Sequence, residues 1–222
     1  MKKLFSIFLA AVLALSLTAC KKTEPQPTQS PLPSPPAQEN PVTEPEKEPA
    51  DPFEVEATVL TQCIVAALDD FNVKTGKYEL DYEDFLIYMA LVDNEDFTYN
   101  GLAPVNADGG REFNPQRCEI IINNVFGKQL EASKIFDDDI YNKDKKLYIL
   151  PGGEKLDFDY KCENLSYISD ADHNNATVTF DLMEEKDDTP GEYTNLGRAY
   201  VKFVIATEKG GAYWRFDSFG MV

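Results

Sequence analysis

Asp170-Ala171-Asp172-His173-Asn174 places oxygen-bearing side chains at alternate positions of a short segment, and Asp181 follows at the twelfth position. Alternating oxygens of this kind suit calcium, which takes about six to eight oxygen ligands. The sixth position departs from the loop template. A glycine belongs at its sharp turn, but Asn175 stands there, and the residues after it alternate like a strand. Asp170, Asp172, Asn174 and Asp181 are therefore a calcium candidate that competes with an Asx-rich hairpin turn, and the turn is the favoured reading. Asp137-Asp138-Asp139, with Asn142 and Asp144, fits no ion-binding spacing and reads as solvated surface. No metal and no cofactor is expected.

Cys63, Cys118 and Cys162 form an odd set, so at least one thiol stays unpaired. Cys63 and Cys118 fall on apolar stripes and read as small buried hydrophobes, with one disulfide among the three as the alternative. The single histidine, His173, lies in the polar segment away from those stripes, which leaves a nucleophilic Cys-His pair little support. A Gly-x-Ser-x-Gly elbow, a phosphate loop and a dinucleotide fingerprint are all absent from the sequence. This inventory favours binding over catalysis. Near the C-terminus, Tyr193, Tyr200, Tyr213, Trp214 and Phe219 offer rings for a ligand pocket or a sugar-binding surface, with core packing the favoured use of Trp214 and Phe216.

The 222 residues carry 39 acidic and 21 basic side chains, a formal net charge of -18, and a phosphate-backbone partner would be repelled. Nucleic acid is set aside on that ground. Of these charges, 6 acidic and 5 basic residues precede Phe53, so the remainder holds 33 and 16, a net of -17. From Phe53 to Asn72, Leu60, Cys63, Ile64, Ala67, Leu68 and Phe71 recur at three and four residues, which predicts a helix stopped by Lys74 and Gly76. Asp81 reads as the cap of a second helix through Val92, apolar nearly all round. Asn114-Pro115 opens a third, with Cys118, Ile121, Ile122, Val125 and Phe126 as its stripe and Gly127 at its end.

After Phe136 the period falls to two. Strands are expected over Lys146–Leu150, Tyr160–Ile168, Ala176–Met183, Arg198–Thr207 and Ala212–Phe219, with a polar loop from Glu184 to Tyr193. The expected fold class is α+β, with about three N-terminal helices packed on a curved antiparallel sheet of four to five strands.

Two unlike segments precede this unit. Met1-Lys2-Lys3, the apolar run Leu4 to Leu17 and the small residues before Cys20 form a secretory leader. Its apolar run of about 14 residues is short of the ~20 that a spanning helix needs. Leu17-Thr18-Ala19-Cys20 resembles the lipobox of bacterial lipoproteins, which implies removal of 1–19, acylation of Cys20 with palmitate-like chains, and attachment to the extracytoplasmic face of the cell membrane. Durable attachment requires more than one chain. Between Lys21 and Pro52 stand ten of the fourteen prolines and almost no large apolar residue, so no core forms there. At ~3.1 Å per residue this proline-rich tether reaches on the order of 100 Å when taut. The expected organisation is a leader over 1–19, a lipidated cysteine and tether over 20–52, and one acidic domain over 53–222.

The order of helices and then strands, ending in Gly211-Ala212-Tyr213-Trp214-Arg215-Phe216, resembles the NTF2-like, cystatin-related fold. That resemblance implies a pocket between the helices and the concave sheet face. Three functional expectations follow: a surface lipoprotein that binds a ligand or partner without catalysis, an NTF2-like extracytoplasmic enzyme with a small pocket, or a structural or envelope-assembly lipoprotein. The expected partners are the membrane, through the lipid anchor, and a protein or small-molecule ligand. Cys20→Ala is expected to leave the chain unacylated, as mass spectrometry of the cell-derived protein would show; a variant that still carries acyl chains and partitions with membranes refutes the lipobox reading.

Overall fold

The structure is a computed structural model that describes residues 51–153, 156–186, 188–208 and 211–222; the leader, Cys20 and the tether to residue 50 lie outside the described residues. Helix α1 runs Pro52–Ala66, with Pro52 at its first position and Asp51 as N-cap, whose carboxylate accepts from Phe53 N at 2.9 Å. Its inward face carries Ala57, Leu60, Cys63 and Ile64, all fully buried.

The helix stops six residues sooner than the apolar spacing predicts. Leu68–Asn72 is instead strand β1, paired antiparallel with β2 (Lys77–Leu80). Leu68 and Phe71 imitate helical spacing because a bulge between Asp69 and Asn72 inserts extra chain between two inward side chains. Asn72 closes the hairpin by accepting from Lys74 N and Thr75 N, both at 3.1 Å.

Helix α2 (Tyr82–Leu91) begins at Asp81, which accepts from Glu83 N at 2.8 Å and Asp84 N at 3.1 Å. Strand β3 (Arg111–Phe113) precedes helix α3 (Pro115–Phe126), capped by Asn114 at one end and closed at the other by Gly127 in the left-handed conformation, φ 66°. Strands β4 (Tyr141–Asn142) and β5 (Leu147–Leu150) join β3 in a separate three-stranded sheet, ordered β3-β5-β4. The expected strand at Lys146–Leu150 therefore lies outside the main sheet.

That main sheet holds β6 (Tyr160–Ser169), β7 (Asn175–Lys186), β8 (Thr189–Glu208) and β9 (Gly211–Met221), antiparallel in the order β6-β7-β8-β9. The polar segment expected to be a loop over Glu184–Tyr193 is the far end of the β7–β8 ribbon, where Glu184 faces Thr194 and Glu185 faces Tyr193. Backbone pairing needs no apolar side chain, so a ribbon wet on both faces leaves no hydrophobic alternation to read.

Val178, Phe180 and Leu182 of β7, Ala199, Val201 and Phe203 of β8, and Trp214 and Phe219 of β9 are buried. Against the sheet, α1 packs on β6 and β7 while α3 packs along β9. The fold class is thus α+β, three helices with antiparallel sheets. Phe180 is fully buried whereas Ile168 is 66% exposed. Phe180→Ala is expected to cost about 3–5 kcal/mol and Ile168→Ala within about 0.5 kcal/mol, read from urea unfolding midpoints.

Candidate functional site

Residues 170–174 form the turn joining β6 to β7. The Asp170 carboxylate accepts from Asn174 N at 2.6 Å and from Asn175 Nδ2 at 2.8 Å, and His173 N donates to Asp170 O at 3.1 Å. Bonding from the Asn175 side chain holds the Asp170 carboxyl below its usual range. Asp181 stands on β7 opposite Glu163 and Arg198, six residues beyond Asn175, which at ~3.3 Å per residue is about 20 Å away. There it accepts from Arg198 Nη1 at 3.1 Å and Asn164 Nδ2 at 2.7 Å. Asp170 meets Asn174 and Asn175 in the turn, Asp172 lies between them in sequence, and Asp181 stands apart on β7. Among the described residues no group of three or more His, Cys, Asp or Glu is placed to hold a metal ion.

The Cys63, Cys118 and Cys162 thiols are free, the first two buried and the third partly so. Burial pushes Cys118 and Cys162 up to about 12 and Cys63 higher still, so all three stay protonated thiols near neutral pH. His173 stacks on Phe53 with ring centroids 4.8 Å apart and planes 14° from parallel, and its Nδ1 lies 3.2 Å from Ser169 Oγ. This is a packing role. The C-terminal rings divide between tasks: Trp214 and Phe219 are core, while Lys161 Nζ sits 3.9 Å from the Tyr193 ring centroid and Arg215 lies 5.7 Å from that of Tyr213. Between helices and sheet, Leu60, Ile64, Phe180, Phe203 and Trp214 are all fully buried and fill the interface.

Recognition chemistry gathers instead at the edge of the layers. Asp81 N donates to Ala67 O at 2.9 Å, which docks the β1–β2 hairpin and the start of α2 against the end of α1. Tyr78 and Leu80 of β2, Tyr82 of α2, Phe126 of α3 and Phe216 of β9 then line an open groove of about 510 Å³, rimmed by Glu79, Lys128 and Asp217. Its rings brace one another: Tyr82 and Phe126 meet at 5.1 Å and 64°, Phe126 and Phe216 at 5.8 Å and 62°. Such edge-to-face pairs contribute about 0.5–1.5 kcal/mol each beyond burial, so the floor is held in place before anything binds. The left-handed turn at Gly127 carries Lys128 back over Tyr82, where Nζ donates to the hydroxyl and lies 5.0 Å from the ring centroid. Sequence reasoning overlooked this site, although Tyr78, Leu80 and Tyr82 alternating with Glu79 and Asp81 signal an aromatic strip with an acidic border.

Elsewhere, a groove of about 600 Å³ beside α3 includes Ile120, 58% exposed, but is otherwise lined mainly by amide and carboxylate side chains. Glu56 lines neither groove; its Oε2 accepts from Thr98 Oγ1 at 2.9 Å, and Oε1 is buried without a hydrogen-bond partner. Burial raises its pKa. Compared with protein-family models, with curated proteins and with solved structures, the chain matches none.

An acidic cluster adjoins the groove at the start of α2. Burial, then Asp81, Asp137, Asp84 and Asp139, push Glu83 up to about 7; burial, then Asp81, Asp159 and Asp69, push Asp84 to about 6. Both acids bind their protons more tightly when folded. Their stabilising contribution is therefore complete below the unfolded carboxyl range and is lost as pH rises through about 6 and 7. Glu83→Gln is expected to raise stability at pH 8 by on the order of 1 kcal/mol, discounted for solvent screening, and to leave it unchanged at pH 4. Urea unfolding at the two pH values checks this, and equal shifts at both would contradict it.

Proposed function

We propose that the chain is a membrane-anchored surface lipoprotein whose acidic α+β domain binds a small ligand or partner without catalysing a reaction, at the aromatic groove. The anchor rests on Leu17-Thr18-Ala19-Cys20 and the spacer on the prolines that follow. The observation that carries the binding reading is the braced set of half-exposed rings at the meeting of β2, α2, α3 and β9. Half-exposed rings with polar groups at the rim suit a site that orients a ligand. An NTF2-like arrangement is part of the proposal, supported by α1 and α3 packing on the β6–β9 sheet. Between the helices and the sheet, Leu60, Ile64, Phe180, Phe203 and Trp214 are fully buried, whereas the groove stands at the edge of the layers.

A second reading, an extracytoplasmic enzyme, is favoured by one observation: the partly buried Glu56 carboxyl, its Oε1 without a hydrogen-bond partner and its pKa raised by burial, is poised as a proton donor or acceptor. The two readings separate on the full-length protein isolated from its own envelope and analysed by native mass spectrometry. A bound molecule that is released unchanged, depleted in Tyr82→Ala and retained in Glu56→Gln, is expected. Occupancy indifferent to Tyr82→Ala, or turnover abolished by Glu56→Gln, would overturn the groove-binding reading.

A further inference from the structure

We infer that the groove receives a basic segment of a partner protein, with a lysine or arginine side chain laid along its rings, an inference that rests on the groove being the binding site. The chain's own lysine displays the chemistry. Lys128 Nζ lies 5.0 Å from the Tyr82 ring centroid and donates to the Tyr82 hydroxyl, so an ammonium is already seated on one of the groove's rings. Phe126 and Lys128 between them cover Tyr82, which leaves Tyr78 and Phe216 as the half-buried rings that an incoming group can reach.

An exposed acid stands next to each of those rings: Glu79 follows Tyr78, and Asp217 follows Phe216. In a regular strand Asp217 would point to the face opposite Phe216. A bulge in β9 prevents this. Ser218 faces Lys202 and Phe216 faces Phe203, so Asp217 has no partner across the ladder and lines the groove together with Phe216. A lysine or arginine side chain complements this arrangement, because its methylene stem packs on apolar surface while its charged head stays at the polar edge, within reach of the rim carboxylates.

Charge favours a partner with several such groups. Asp81, Glu83 and Asp84 continue the acidic border along the start of α2, and among the described residues neither these three nor Glu79 and Asp217 form an ion pair. With a net -17 on the folded unit behind it, this border attracts a polycation and steers it towards the groove. The groove is open, whereas a small organic cation is held best in a site that encloses it.

The test is isothermal titration of the full-length protein with hexalysine, with hexaglutamate, and with tetramethylammonium chloride as a small cation. Hexalysine is expected to bind, and to bind more weakly as added salt screens the acids. Asp217→Asn and Tyr78→Ala are each expected to weaken it about tenfold, equivalent to about 1.4 kcal/mol, while Tyr78→Phe, which keeps the ring, leaves it nearly unchanged and guards against a folding artefact. Lys128→Gln, which removes the groove's resident cation, is expected to tighten it. Asp172→Asn makes the same change of charge in the β6–β7 turn and is expected to leave it nearly unchanged. Failure of hexalysine to bind overturns the inference, as does weakening by Asp172→Asn equal to that by Asp217→Asn, which marks a diffuse attraction, or weakening by Lys128→Gln. Hexalysine binding indifferent to both Asp217→Asn and Tyr78→Ala places the basic segment elsewhere and overturns it too. Hexaglutamate bound in a Tyr78-dependent manner overturns the basic class, and tetramethylammonium bound as tightly as hexalysine overturns the protein segment; both leave the groove as the site. Native mass spectrometry of Tyr82→Ala, independent of these titrations, decides whether the groove binds at all.

Discussion

The Trp214 indole N–H donates to the Phe53 carbonyl at 3.0 Å, joining the first turn of α1 to the last strand across 161 residues of chain. Trp214 is among the largest fully buried side chains, and an indole N–H left without a partner there would cost about 1–3 kcal/mol. The bond therefore sets where α1 can begin. With its start fixed on β9 and its body across β6 and β7, the helix delivers Ala67 to the place where it accepts from Asp81 N, and so positions the hairpin, α2 and the groove. Phe53 serves twice more, edge-on to Trp214 at 5.8 Å and flat on His173 at 4.8 Å.

Elements with chemically specific ends are legible in the sequence. Asn114-Pro115 and Gly127 bound α3 as their capping chemistry dictates, and Asp81 opens α2. Elements without such markers are not. The β1–β2 hairpin hides because a bulge spaces Leu68 and Phe71 as a helix would, and the outer half of the β7–β8 ribbon hides because both of its faces are wet. The groove is legible only as its Tyr78–Tyr82 strip, for a different reason. Tyr78, Tyr82, Phe126 and Phe216 belong to four elements, and only tertiary packing makes them neighbours. The loop acids, by contrast, are sequence neighbours that form a motif on paper, yet the turn consumes Asp170 and the length of β7 removes Asp181.

Helix and sheet surfaces that fill each other completely leave a small domain few places for a ligand. The rim where secondary structures end is one, because side chains there have lost neighbours on one side but keep them on the other. Tyr82 illustrates the balance, braced by Phe126 beneath and covered by Lys128 above. The acids at the start of α2 stand beside it, and their crowding shows that local charge was not minimised at this corner of the fold.

Helix α1 also has a mechanical meaning. Its N-terminus follows directly on the proline-rich stretch of the sequence and its C-terminus leads into the hairpin that helps line the groove, the two ends of its 15 residues lying about 22 Å apart. Tension applied at one end of a fold crosses it only when something is held elsewhere. A pull along α1 would run from Asp81 through the Ala67 carbonyl and down the helix axis, along which the helix's own hydrogen bonds lie and are loaded in tension. At the other end, the stack of His173, Phe53 and Trp214 clamps the first turn of α1 to the sheet.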